Sequence, residues 1–250
     1  MSRSWVLLTA FSLVASSQLF AAARTFTSSG NALATDKPAT IVLLRPDVEV
    51  GEMQASGMVQ PNAEWTESAR ALIQQALEAD LVQKKADLRS ISEQTGEAAQ
   101  LVGDYEALHQ AVAASILIHK VGGAKLPTKK DRFDWTLGPG TQRLSELTES
   151  NYGLFLFVND SFTSASRAGV QAVGLLGCLV GVCIIAAGGQ HLYFASLVEL
   201  STGNIVWFNF LNGSKGDVRK PEGAAGMVKA LMASMPTQPG ASGDDDNAKP

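Results

Sequence analysis

Between two segments rich in β-formers lies a run without a single charge, Ala168 to Gly189 (AGVQAVGLLGCLVGVCIIAAGG), in which Gln171 is the one clearly polar side chain. As one helix its 22 residues would measure roughly 33 Å, close to the hydrocarbon thickness of a bilayer. Its flanks restrict it more than its hydropathy does. If Tyr152–Ser161 and Leu192–Leu211 belong to one sheet, they cannot stand on opposite sides of a membrane. A helical hairpin does not help, because two arms of about ten residues are each too short to span. The run is left to pack under the sheet or against another subunit, to lie in a membrane interface, or to form a glycine-rich loop.

Gly169, Gly177, Gly181 and Gly189 fall at multiples of four, which on a helix makes one small-residue face suited to close contact with another helix, flanked by Leu176 and Val180. Gly177 to Gly181 is a GxxxG. Glycine costs a helix up to about 1 kcal/mol per position, so such a helix needs tertiary contacts to persist. Cys178 and Cys183 lie within the run. Five positions apart on a helix they diverge too far to be bridged, and they read as small apolar residues.

The chain opens with Arg3, the apolar run WVLLTAFSLVASSQLF and the small residues Ala21, Ala22 and Ala23. A basic start, a short apolar core and an A-x-A ending predict a secretory signal peptide cut after Ala23, with a membrane anchor as the alternative. No cysteine stands at that site, so attachment through an acylated cysteine is not expected there. Arg24 to about Lys37 reads as a flexible polar leader, and Pro236–Pro250, which ends GASGDDDNAKP, as a disordered tail. The remaining Ala39–Met235 is enough for one domain with a real core. The formal net charge of −4 and the lack of a basic stripe exclude nucleic acid as the expected partner.

Within that domain Ala39–Val50 opens as a β-branched and leucine run, as in a strand buried on both faces, and Pro46 is expected to end its pairing. Asn62 to about Val82 is an amphipathic helix capped by Asn62, with Trp65, Ala69, Leu72, Ile73, Ala76 and Leu77 toward the core. A short strand is expected near Lys85–Ile91. A second helix over Glu97–Lys120 has Leu101, Leu108, Val112, Ile116 and Leu117 as its apolar side and stops at Gly122-Gly123. A polar loop (KLPTKKDRFDWTLGPG) and a brief helix over Thr141–Glu149 lead to Tyr152–Ser161, the clearest central strand. Leu192–Leu200 and Ile205–Leu211 form a hairpin around Ser201-Thr202-Gly203-Asn204, and Pro221–Met235 a closing helix. The predicted class is α/β (α+β): a mixed sheet of four to five strands with helices packed on it, one domain carrying the apolar insertion.

Chemistry-bearing motifs are scarce. There is no G-x-S-x-G, P-loop, H-E-x-x-H or dinucleotide fingerprint, and neither a cofactor nor a metal site is expected. His109, His119 and His191 read as surface or satisfied side chains, and Asp47, Glu49 and Glu52 as solvated loop carboxylates. Lys129, Lys130 and Arg132 read as a solvated basic loop. Trp207 and Phe208 alternate on the hairpin, so one is expected in the core and the other exposed at an interface.

The hairpin SLVELSTGNIVWFN resembles that of the TolB amino-terminal and curli-secretion-protein superfamily. EWTESARALIQQAL resembles the first helix of those domains. DWTLGPG followed by YGLFLFVNDSFTSASR is similar to a family of uncharacterised proteobacterial secreted proteins. The resemblance implies an accessory or assembly part of the periplasm or outer membrane, without a shared active site. It favours an exported, non-enzymatic protein that acts by association with a protein partner, with itself, or with a membrane surface. The alternatives are a membrane-bound subunit of an envelope export system with 168–189 in lipid, and a hydrolase with an unrecognised site.

Overall fold

A computed structural model of the chain describes residues 22–28, 39–84, 86–129, 132–169 and 189–236. The expectations for the export segment up to residue 21, the tail beyond residue 236, Cys178, Cys183 and residues 170–188 of the apolar run lie outside these residues.

The longest strand, β6 (Tyr152–Thr163), is the spine of one open, eight-stranded mixed sheet. On one side it pairs antiparallel with β7 (His191–Glu199), from Tyr152 opposite Glu199 to Asp160 opposite His191. Next come β8 (Ile205–Asn212) and the edge strand β1 (Ala22–Thr27), each antiparallel to its neighbour. On its other side β6 pairs in parallel first with β2 (Thr40–Leu43) and then with β3 (Asp47–Met53). Beyond β2 lies β5 (Asp87–Ser90), parallel to it, and beyond β3 lies β4 (Val59–Pro61), antiparallel to it.

Three departures from the sequence reading follow. Pairing does not end at Pro46: Leu44, Arg45 and Pro46 stand opposite only Phe155 and Leu156, after which the strand resumes as β3. The irregularity accommodates a residue without an N–H, as bulges do. Arg24–Thr27 is an edge strand rather than a leader; its Phe26 stacks on Phe133 at 5.9 Å and Thr25 bonds Asn209. With β1 and β4 added and the expected Ala39–Val50 strand divided into β2 and β3, the sheet has more strands than the four to five expected.

Both faces are covered. On one, α1 (Ala63–Gln83) and α4 (Pro221–Met232) bury Ile73, Leu77, Leu81, Met227 and Leu231 against the strands. Asn62 caps α1, its side chain accepting from the Trp65 N–H at 3.0 Å. On the other face lie α2 (Gly96–Ile116), which widens into a π-turn over Leu117–Val121, and α3 (Gln142–Thr148). The inward face of α2 is Val102, His109, Ala113 and Ile116, with Leu108 left exposed, so the buried stripe is one residue off the one the apolar residues alone suggest. The loop before α3 is not wholly superficial: Trp135 and Leu137 turn into this second core.

The hairpin turn depends on Gly203. Its φ is +76°, and a Cβ there would collide with the backbone of Gly138, which approaches because the Leu137 N–H donates to the Gly203 carbonyl. Gly203→Ala is therefore expected to lower stability by about 1–3 kcal/mol in urea unfolding. An unchanged midpoint would contradict this close approach.

Candidate association site

The register of β6 and β7 sets the geometry of the apolar run. Asp160 faces His191, so the chain leaves the sheet after Thr163 and re-enters it at His191 from the same end. A single membrane crossing between these strands is incompatible with that pairing. The two ends of the run are stapled at the sheet. The Ser161 N–H donates to the Gln190 carbonyl at 2.8 Å, and the Gln190 N–H donates to Ser161 Oγ at 2.7 Å. A Cβ on Gly189 would fall on the Ser161 carbonyl oxygen, so this glycine is required by the staple.

On the outgoing side Ser164 starts a helical turn over residues 165–169. Its N–H donates to the Met53 carbonyl and its Oγ accepts from the Arg167 N–H at 3.1 Å. Arg167 is largely buried and donates through Nη1 to the Gln54 carbonyl at 3.3 Å. The β3–β4 turn is thus tied to the exit of the apolar run, and it holds Met58, an apolar side chain 73% exposed.

Polar and aromatic groups brace the root from below. His191 Nδ1 pairs with the carboxylate of Asp160, which is fully buried. Tyr193 lies beneath, and burial first, then the charge of Asp160, hold its phenol well above the ordinary pKa, so it stays protonated. Arg219 donates to both carboxylate oxygens of Asp217 at 2.8 and 2.9 Å, which holds that carboxyl below its ordinary range. The Arg219 guanidinium also lies 3.7 Å from the Phe162 ring centre and 4.3 Å from that of Trp65.

Of the residues singled out in the sequence, Gly169 is exposed at the end of the outgoing turn and Gly189 sits in the staple. Leu176, Gly177, Val180 and Gly181 lie outside the described residues. Trp207 and Phe208 are both fully buried, which corrects the expectation that one is exposed: helices cover both faces, so Trp207 enters the core under α1 and α4, and Phe208 the core under α2. Asp47, Glu49 and Glu52 lie along β3 instead of in a loop, and Asp47 accepts from Gln110 at 2.6 Å. His119 Nδ1 meets the Ala124 carbonyl. Among the described residues, no group of three His, Cys, Asp or Glu could hold a metal, and no helix is long and apolar enough to cross a membrane.

His109 is the one buried histidine. It bonds Ser196 Oγ at 2.7 Å and stacks on Phe155 at 4.3 Å, and burial depresses its pKa to about 3.

No protein-family model matches the chain, and no curated protein matches it. Among solved structures it is similar to a PelC dodecamer from Paraburkholderia phytofirmans at 13% identity and a TM-score of 0.39, covering 86% of this chain and 98% of that one. A PelC variant dodecamer from the same organism gives 12% and 0.38, over 87% of this chain and 99% of that one. The lipoprotein GNA1162 from Neisseria meningitidis gives 12% and 0.31, over 78% and 94%. Similarity at that level assigns neither family nor activity, and the TolB and curli-secretion resemblance rests on the hairpin and first-helix residues of the sequence.

Two outcomes are expected. Gly189→Ala should destabilise the fold by about 1–3 kcal/mol by displacing the staple, measured as a lower unfolding midpoint. An unfolded chain protonates His109 near its ordinary value of 6.5, whereas the folded chain does so only near 3. Stability is therefore complete above about pH 6.5 and falls by about 1.4 kcal/mol per unit as pH drops toward 3. His109→Gln should flatten that part of the pH profile, and an unaltered slope would count against a neutral buried His109.

Proposed function

We propose that this is an exported, non-enzymatic protein of the cell envelope, located in the periplasm, that acts by association through Ala168–Gly189. The observation that carries the reading is the antiparallel β6–β7 pairing, which gathers both ends of a charge-free run at one end of a fully covered sheet. Exposed Met58 adds an apolar side chain beside its exit. Contiguous apolar surface is characteristic of contact sites, and the sequence of this run is apolar throughout. The partner in this reading is another protein or a second copy of the chain, with the membrane surface as the competing ligand. The glycines Gly169, Gly177, Gly181 and Gly189 are assigned to the contact, Leu176 and Val180 to its apolar flanks.

Size measurement of the purified protein tests the reading. The wild type is expected to self-associate or to hold a co-purifying partner, and Gly177→Leu with Gly181→Leu to release it with the domain still folded. A monomer throughout, or an oligomer unchanged by both substitutions, would overturn the protein-contact reading. Carbonate extraction separates the membrane alternative: release into the soluble fraction is expected, and retention in the membrane would favour lipid. A catalytic rate abolished by a single carboxylate or histidine substitution would overturn the non-enzymatic assignment.

A further inference from the structure

A cleft of about 500 Å³ opens away from the β6–β7 root, lined by the jog Leu43–Pro46, by Arg70 and Gln74 of α1, by Ser90–Gln94, and by Ala99, Val102 and Glu106 of α2. Its position follows from the topology. β2 and β5 are parallel neighbours, and the cleft lies beyond their carboxyl ends, Leu43 and Ser90. From β2 the chain jogs into β3, turns through β4 and returns to β5 through α1 on one face of the sheet, and from β5 it departs through α2 on the other. Where adjacent parallel strands send their connections to opposite faces, the loops part and leave a crevice, the general location of ligand sites in open α/β sheets. The volume falls within the range of small-molecule sites.

The polar lining defines what fits. Arg45 faces Glu106 at 3.8 Å, Arg70 pairs with Glu67, and Glu97 stands in the first turn of α2. Each cation, and the positive helix end, already has an anion, and the remaining carboxylate of the lining, Glu93, is exposed to water, so the cleft makes no strong demand for a charged ligand. Burial outweighs Arg45 and raises the Glu106 carboxyl above its ordinary pKa, which further disfavours an added negative charge nearby. What is missing is hydrogen bonding. Arg70 Nε, a donor, and Glu106 Oε1, an acceptor, are both shut off from bulk water and without a partner. Both belong to side chains that line the cleft, where Arg70 is held through Nη1 by Glu67 and through Nη2 by the Val48 carbonyl, leaving Nε as its unused donor. Gln74, Gln94, Ser90 and Ser92 add amides and hydroxyls around them. Each hydroxyl of a ligand both accepts and donates.

We propose that this cleft binds a small neutral polyhydroxylated molecule, of the size of a hexose or cyclitol, whose adjacent hydroxyls accept from Arg70 Nε and donate to Glu106 Oε1. The site is separate from the association surface and holds whether or not that surface does. Among the described residues its lining carries no aromatic ring to stack a sugar face, so binding is weak, in the millimolar range.

Saturation-transfer NMR and thermal shift on the full chain test this with glucose, galactose, mannose, myo-inositol and glycerol, against glycine as a zwitterion and inorganic phosphate as an anion. At least one polyol is expected to give a saturable signal while glycine and phosphate give none. Arg70→Lys, which keeps the charge facing Glu67 and removes the Nε donor, should weaken that binding about tenfold. Ala99→Phe, which fills the cleft without touching its polar groups, should abolish it and provides a second readout if Arg70→Lys fails to fold. No saturable signal from any polyol, binding confined to glycine or phosphate, or polyol binding unchanged by Ala99→Phe would overturn the assignment.

Discussion

The pairing of β6 with β7 is the constraint on which the rest of the molecule depends. It runs from Tyr152 opposite Glu199 to Asp160 opposite His191 without a register shift on this ladder, and its hydrogen bonds are perpendicular to the strands as in any antiparallel pair. Because β6 also carries β2 and β3 on its other side, one strand joins the antiparallel half of the sheet to the parallel half. The same pairing brings Thr163 and His191 to one end of the sheet, which turns a run with the hydropathy of a membrane span into an excursion that starts and finishes at one place. The buried Asp160, the Ser161–Gln190 staple and the glycine at 189 all serve that closure.

The two proposed regions both lie toward the carboxyl ends of the parallel strands β2, β5 and β6, and they differ because the two halves of the sheet are connected differently. The antiparallel half is joined by a turn at one end and by the apolar excursion at the other, and the proposed contact is placed on that excursion. The parallel half requires crossover helices, and two of these pass over opposite faces, so its feature is a crevice. The association proposal and the small-molecule proposal thus rest on different halves of the sheet.

Much of the fold is legible in the residues themselves. Asn62 ahead of an apolar stripe, the β-formers of Tyr152–Ser161, and the Thr-Gly-Asn turn between two β-rich runs are local signals, and the structure forms the corresponding helix, strand and hairpin. What the residues hide is whatever depends on a distant partner. Ala22–Thr27 has too little apolar character to announce a strand, and it is held by Asn209, Phe208 and Phe133 from far along the chain. The buried His109 interrupts an apolar stripe and is tolerated because Ser196 arrives from β7 to bond it. Trp207 and Phe208 could not both be assigned to the interior without knowing that helices cover both faces. The cleft is the extreme case: Pro46, Arg70, Ser90 and Glu106 share no local motif, and only the crossover topology brings them together.

The central claim is that Ala168–Gly189 is a contact element hung from a sheet that is complete without it. Replacing residues 168–188 by a short Gly-Ser linker, keeping the turn at Ser164 and the staple at Gly189, tests it most directly. Unfolding monitored by circular dichroism should remain cooperative with a midpoint close to the wild type, while the self-association or partner binding of the full chain disappears. A linker variant that fails to fold, or that folds and associates as the wild type does, would contradict it.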